Sequence, residues 1–266
     1  MRLSHVVPSI DPRFGGPSVS VPNLAMALAH AGHEVSLFAT AVDGSITPPM
    51  PGVAYRHAPI AGSATLANSP ELLRLLRHTP ADLIHAHALW QRPLHYAHQC
   101  AAQAGVQLVI SPRGMMSPWA WRHRRWKKWL AEKFVHPGAF ADAAGWHATS
   151  QDEADDIRAR GWRQPICIAP NGVGIPDDRS LVEARAYWHR VCPNCALRPT
   201  ALFHSRLHEK KRVLELIDLW LDTAPPDWLL LIVGIPETIT VAQLRGRVAA
   251  RGGAERIAVF DGTQTL

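Results

Sequence analysis

Two cations late in the chain stand where an anion would be held. In TALFHSRLHEKKRVLELIDLW, residues 200–220, Arg206 and Lys211 fall between an apolar strand, Ala201–His204, and an amphipathic helix. A guanidinium and an ammonium at a strand-to-helix turn suit a diphosphate. The helix start adds free N–H groups and a partial positive charge.

A second set of residues is spread over the first two thirds of the chain. Gly15 and Gly16, in the loop Arg13–Pro17, join a strand to a helix, and glycine lets a backbone approach a ligand closely. The string lacks the GxGxxG spacing of a nicotinamide dinucleotide site, and a plain tight turn is the competing reading. His85 and His87 lie two apart in LIHAHALWQRP, so they share one face of a strand, with Trp90 and Gln91 following. They sit toward the carboxyl end of that strand, where α/β folds bind ligands; packing histidines are the alternative. Arg113, in SPRGMMSPW, can donate paired hydrogen bonds to phosphate or carboxylate. Asn171-Gly172, in IAPNGV, is a turn pair.

WAWRHRRWKKWLAEKFV interleaves tryptophans with six Arg or Lys residues between Arg122 and Lys133. As one helix over about 118–135, it places Trp126, Leu130 and Phe134 on one stripe with Trp129 beside them. Three readings follow: a stripe facing the core, docking on an anionic membrane surface through Trp126, Lys127, Lys128 and Trp129, or nucleic-acid binding. No recognised nucleic-acid module accompanies the segment, so nucleic acid is not the expected partner.

Bulk composition is that of an ordinary globular protein, with 47% hydrophobic and 19% charged residues over 266 positions. The net charge of +6 favours an acidic partner. The opening MRLSHVVPSID lacks the apolar stretch of a signal peptide, so a cytoplasmic location is expected. Cys192 and Cys195, in VCPNC, have zinc or redox spacing, but no second pair completes a four-ligand set. Two reduced thiols in a loop are the expectation.

These residues need a scaffold of alternating strands and helices. Apolar strands at Leu3–Ile10, Val35–Ala39, Val53–Pro59, Asp82–His87, Leu108–Ser111, Trp146–Thr149 and Ile166–Ala169 alternate with helical stretches, which predicts an α/β fold with a parallel sheet. Ser150 and Glu153 mark a capped helix start. PNGVGIPDD reads as a hinge, dividing the chain into residues 1–176 and 177–266. The second part has strands at 201–204, Trp228–Val233 and Arg256–Phe260 with their helices, half of a doubly wound domain.

The string at 200–220 resembles the phosphate-binding turn of retaining glycosyltransferases of family 4, which have the GT-B fold. FGGPSVSVPNLAMALAHAGHEV, LIHAHALW, the stretch from Ser111 through Gly161, and PNGV are similar to further segments of that family, so the likeness spans the chain. The resemblance implies two Rossmann-like domains with parallel sheets, the second incomplete, and transfer of a sugar from a nucleoside diphosphate sugar with retention. It implies no metal and no other cofactor. Arg206, Lys211 and Gly16 would serve the donor phosphates; His87 and Arg113 would be catalytic, with Arg113 in a loop where other branches carry a histidine. Gly15, His85, Trp90 and Asn171 would border the acceptor cleft. The acceptor would be a glycan or lipid-linked, in cell-surface polysaccharide synthesis at the inner membrane face. Two departures stand out: Arg212 occupies a usual glycine position, and the family's paired-glutamate motif is not found before FDGTQTL. A truncated chain of weak activity, or one needing a partner chain for the rest, is the resulting expectation. A non-catalytic acceptor- or membrane-binding protein and a nucleotide-sugar epimerase are the alternatives.

Overall fold

The computed structural model describes residues 1–11, 15–41 and 49–263. Arg13 and Phe14 of the glycine loop lie outside them. The chain divides into two compact units, Met1–Gly174 and Ile175–Leu266.

The first unit is built on seven strands: β1 (Arg2–Val7), β2 (Glu34–Ala41), β3 (Val53–Pro59), β4 (Leu83–His87), β5 (Gln107–Ser111), β6 (Gly145–Ala148) and β7 (Ile166–Ile168). Their order is β3-β2-β1-β4-β5-β6-β7, and every pairing is parallel. The helices are α1 (Pro17–His30), α2 (Pro70–Arg77), α3 (Arg92–Ala104), α4 (Pro118–Arg122), α5 (Arg125–Leu130) and α6 (Gln151–Ala159). Neighbouring strand residues serve opposite faces. Val6, Phe38, Ile84 and Ala86 pack with Leu72, Leu76, Leu94 and Ala97 of α2 and α3. Val7, Leu37 and Ala39 instead pack with Val21 of α1. Burial on both faces explains why these strands read as nearly unbroken apolar runs.

The second unit has β8 (Thr200–Leu207), β9 (Leu229–Pro236) and β10 (Ile257–Asp261) in the order β10-β9-β8, again parallel. α9 (Val213–Thr223) and α10 (Val241–Ala250) bury Val213, Ile217, Leu244 and Val248 against one face. α7 (Asp178–Val191) and α8 (Asn194–Leu197) cover the other face through Trp188, Cys192 and Cys195. The two thiols are therefore packing residues at a helix junction rather than in a loop. Burial and the neighbouring Cys192 thiol push the Cys195 thiol up to about 12.

Three local expectations are revised. β8 runs on to Leu207, so Arg206 sits within the strand and not in the turn after it. The expected helix over 118–135 is broken at Arg124, whose φ of 49° is left-handed, and it ends in a wide π turn, Ala131–Val135. Trp121 and Ala131 both pack inward. The core-facing stripe is overturned with it: Trp126, Trp129 and Phe134 are 63%, 58% and 64% exposed.

Candidate functional site

The strand order reverses direction between β1 and β4, and ligands of such sheets bind at the carboxyl ends around that point. Four histidines gather there on the face that carries α1. His5 of β1 pairs in register with His85 of β4, and His87 follows two residues on. His147 comes from β6, with its ring centroid 5.2 Å from that of His85. His5, His85, His87 and His147 are all buried.

Hydrogen bonds fix the protons of this cluster. The guanidinium of Arg113 can only donate, so His87 Nδ1, 3.1 Å from Arg113 Nη2, accepts. His87 then carries its proton on Nε2 and donates it to His5 Nδ1 at 3.0 Å. His5 in turn keeps its proton on Nε2, which has no partner among the described residues. Burial, with Arg113 adding to it, lowers the His5 pKa to about 4. Burial and the neighbouring histidines push His85 and His87 well below the ordinary value. All three are neutral at pH 7. Their ring nitrogens lie within 4.8 Å of one another, close enough to share a metal ion. A divalent ion would have to displace the Arg113 bond and sit beside its charge, so the present arrangement fits a hydrogen-bond chain better.

Arg113 is the pivot. Its second arm, Nη1, donates to Asn171 Oδ1 at 2.5 Å, and its backbone is left-handed at φ 54°. Ala88 and Trp90 beside β4 are also left-handed, at φ 66° and 70°. Strain of this kind persists only where surrounding contacts impose it. Glu153 is one source of those contacts: Oε1 accepts from Gly114 N at 2.5 Å, and Oε2 accepts from Thr149 N at 2.7 Å. The carboxylate thus ties the Arg113 loop to the start of α6, while the Glu153 backbone N–H donates to Ser150 Oγ as the expected cap requires.

A hollow of about 420 Å³ opens beside this cluster. It is lined by Ser20, Asn23 and Leu24 of α1, by His147, and by Asn171 and Gly172. His87, Arg113 and Asn171 are therefore brought together, with the His85 ring tilted against His87 at 4.0 Å. Gly15 and Gly16 form the turn into α1: Gly15 is left-handed at φ 86°, and Ser18 Oγ donates to its carbonyl at 2.6 Å. A Cβ on Gly16 would meet nothing within 4 Å. Trp90 goes elsewhere, its ring 5.6 Å from Trp121 and 5.8 Å from both His136 and Phe140.

In the second unit, Arg206 leaves the end of β8 and pairs with Glu237 just past β9, at 3.1 Å. Lys210 and Lys211 follow in a tight turn, Glu209–Lys211, before α9. Burial lowers the Lys210 pKa, and Arg206 and Lys211 push it the same way. Arg206, Lys210 and Lys211 thus gather near Glu237 just ahead of α9, an electrostatic setting for an anion. Arg212 takes a left-handed backbone, φ 52°, as a glycine would, and its Nε pairs with Glu215 at 3.2 Å.

His5, His147, Lys210 and Glu237 escaped the sequence reading, and Glu153 was read only as part of a helix cap. His5 and His147 lie on strands already predicted, and their relevance needed the strand order. Lys210 sits beside Lys211 and was open to notice.

Two α/β units with parallel sheets and strand-end loops bearing cations and histidines define a GT-B-like fold. Residues 15–172 match the glycosyl transferase 4-like domain, more than half of the 266 residues, and the chain belongs to that family of glycosyltransferases. No curated protein matches it. Among solved structures, HepE of Anabaena in complex with UDP is similar at 17% identity and TM-score 0.69, over 98% of this chain and 69% of that one. Sucrose-phosphate synthase of Thermosynechococcus elongatus is similar at 17% identity and TM-score 0.66, over 98% and 70%. UDP-GlcNAc 2-epimerase of Methanocaldococcus jannaschii shares the fold at 11% identity and TM-score 0.53, over 98% and 73%. Among the described residues, no helix is long and apolar enough to cross a membrane.

Proposed function

We propose that this glycosyltransferase takes its sugar from a nucleoside diphosphate sugar and transfers it, with retention, to a glycan or lipid-linked acceptor in cell-surface polysaccharide synthesis on the cytoplasmic side of a membrane. The observation that carries the donor half is the grouping of Arg206, near the end of β8, with Lys210 and Lys211 of the turn that follows, ahead of α9. Fixed cations and helix N–H groups oppose the charge that grows on a leaving diphosphate, which is how such a site accelerates transfer without a metal. In the first unit, the acceptor is assigned to the hollow beside Asn171, with Gly15 and Gly16 at the turn into α1. There Arg113 supplies a charged donor and the neutral His87 holds it in place. HepE is described in complex with UDP, which agrees with a uridine donor.

An epimerase needs free carboxylates at its reacting centre. Glu153, the carboxylate tied to the Arg113 loop, has both oxygens engaged by backbone N–H groups, which favours the transferase reading.

Thermal unfolding with and without UDP or GDP tests the donor half. A ligand that binds only the folded chain raises the midpoint by mass action. The expected result is a rise with one of the two nucleotides that is lost in Arg206→Ala and in Lys211→Ala. No rise with either nucleotide would remove the donor assignment.

A further inference from the structure

The basic, tryptophan-rich segment of the first unit is turned outward, and we propose that it docks the protein on an anionic lipid surface. Two aromatic sets divide along it. Trp121 packs inward against Trp90, with Arg160 stacked on it at 4.9 Å. Trp119, Trp126, Trp129 and Phe134 are each more than half exposed, from 52% to 64%. Chain that only needed to cover the core would carry its apolar residues on the first set and polar residues on the second. Here the solvent side holds four large aromatic rings within sixteen positions.

The charges beside those rings have one sign. Arg122, Arg124, Arg125, Lys127, Lys128 and Lys133 accompany a single acid, Glu132. Among the described residues, no ion pair involves Arg122, Arg124, Arg125, Lys127 or Lys133. Lys127 Nζ lies 5.4 Å from the Trp126 ring and Lys133 Nζ lies 5.0 Å from the Trp129 ring. Each ammonium therefore stands at the same level as an exposed indole. Indoles favour the boundary between headgroups and acyl chains, and ammonium groups favour lipid phosphates. A hollow of about 470 Å³, walled by Trp129, Glu132, Lys133, Phe140 and Trp162, opens in the same surface.

Anionic lipid fits better than nucleic acid. Bases stack on aromatic platforms along a groove that tracks the backbone, whereas these rings alternate with cations on a segment broken at Arg124. The break at Arg124 and the π turn also matter. They let the inner rings anchor the segment while Trp126, Trp129 and Phe134 face outward together.

Co-sedimentation of the full chain with vesicles tests this. Binding is expected to vesicles of phosphatidylcholine containing phosphatidylglycerol, and to weaken with salt, but not to phosphatidylcholine alone. Reversing one charge in Lys127→Glu removes one cation and adds one anion, so vesicle affinity should fall roughly 25-fold at about fivefold per charge near the surface. The pair Trp126→Ala and Trp129→Ala should lower it at least tenfold. The altered side chains are exposed, so circular dichroism should show the fold retained; Lys133→Gln is a second, milder probe in case the tryptophan pair misfolds. Absence of vesicle binding, equal binding to neutral vesicles, or binding untouched by these substitutions would overturn the proposal. So would retention on single-stranded nucleic acid with none on vesicles.

Discussion

Arg113 holds two acceptors with one guanidinium, His87 Nδ1 at 3.1 Å and Asn171 Oδ1 at 2.5 Å. A lysine has one ammonium and no planar fork, so it reaches one partner at a time. Arg113→Lys is expected to lower kcat/KM about tenfold to a hundredfold while leaving the urea midpoint nearly unchanged; equal losses in stability would assign Arg113 to structure alone. Gly16 gives a cleaner probe of ligand approach, because a Cβ there meets no protein atom. If a ligand passes close to this backbone, Gly16→Ala costs activity and no stability. Full activity in that variant would remove Gly16 from the site. At Arg212, a left-handed backbone at φ 52° costs a non-glycine residue about 1 kcal/mol. The pair with Glu215 is 75% and 57% exposed, so water and salt screen it and it offsets little of that cost. Arg212→Gly should therefore raise unfolding stability by roughly 0.5–1 kcal/mol, measured by urea titration.

At the level of elements, the end of β8 against β9 is the sensitive joint. A Cβ on Gly234 would stand 2.2 Å from Leu207 Cδ2, and Leu207 is fully buried. Leu207 has nowhere to go without moving β8, the strand that carries Arg206. Gly234→Ala should cost about 1–3 kcal/mol and weaken nucleotide binding along with stability. Glu237 acts at the same joint in the other sense. It occupies Arg206 when no ligand is present, in a pair that is partly exposed and so worth about 0.5–1 kcal/mol at most. Glu237→Gln should tighten nucleotide binding about two- to fivefold, read by calorimetry. Weaker binding would show instead that the carboxylate contacts the ligand. The sequence reading placed nearly all of these elements correctly within a few residues, because parallel strands buried on both faces give long apolar runs. It failed at residues 118–135, where the helical period of the sequence runs on through a break at Arg124 that the pattern does not mark.

For the whole molecule, the buried histidines make stability depend on pH. His5 and His136 both have pKa values lowered to about 4 from the ordinary 6.5, chiefly by burial. Unfolding returns these groups to water, where they take up protons below pH 6.5 that the folded protein refuses. Their contribution is therefore complete above pH 6.5 and is lost as the pH falls toward 4, with His5 alone worth on the order of 3 kcal/mol. His85 and His87 shift in the same direction and steepen the loss. Urea midpoints should fall sharply from pH 6.5 to 4, and less sharply in His5→Gln. A flat profile would mean that the cluster is hydrated or charged in solution.

The succession of strands and helices along the chain, the parallel sheets, the family and the cations at residues 206 and 211 could be read from the chain alone, since each rests on contiguous patterns of a few residues to a few tens. The tertiary structure alone decided which distant side chains meet. His5 and His87 are 82 positions apart and Arg113 and Asn171 are 58 apart, and no local period encodes such a meeting. It also decided which face of the tryptophan segment is wet: a helical stripe of Trp126, Leu130 and Phe134 has the same sequence whether it faces a core or a solvent boundary. In the fold, Trp126 and Phe134 are exposed.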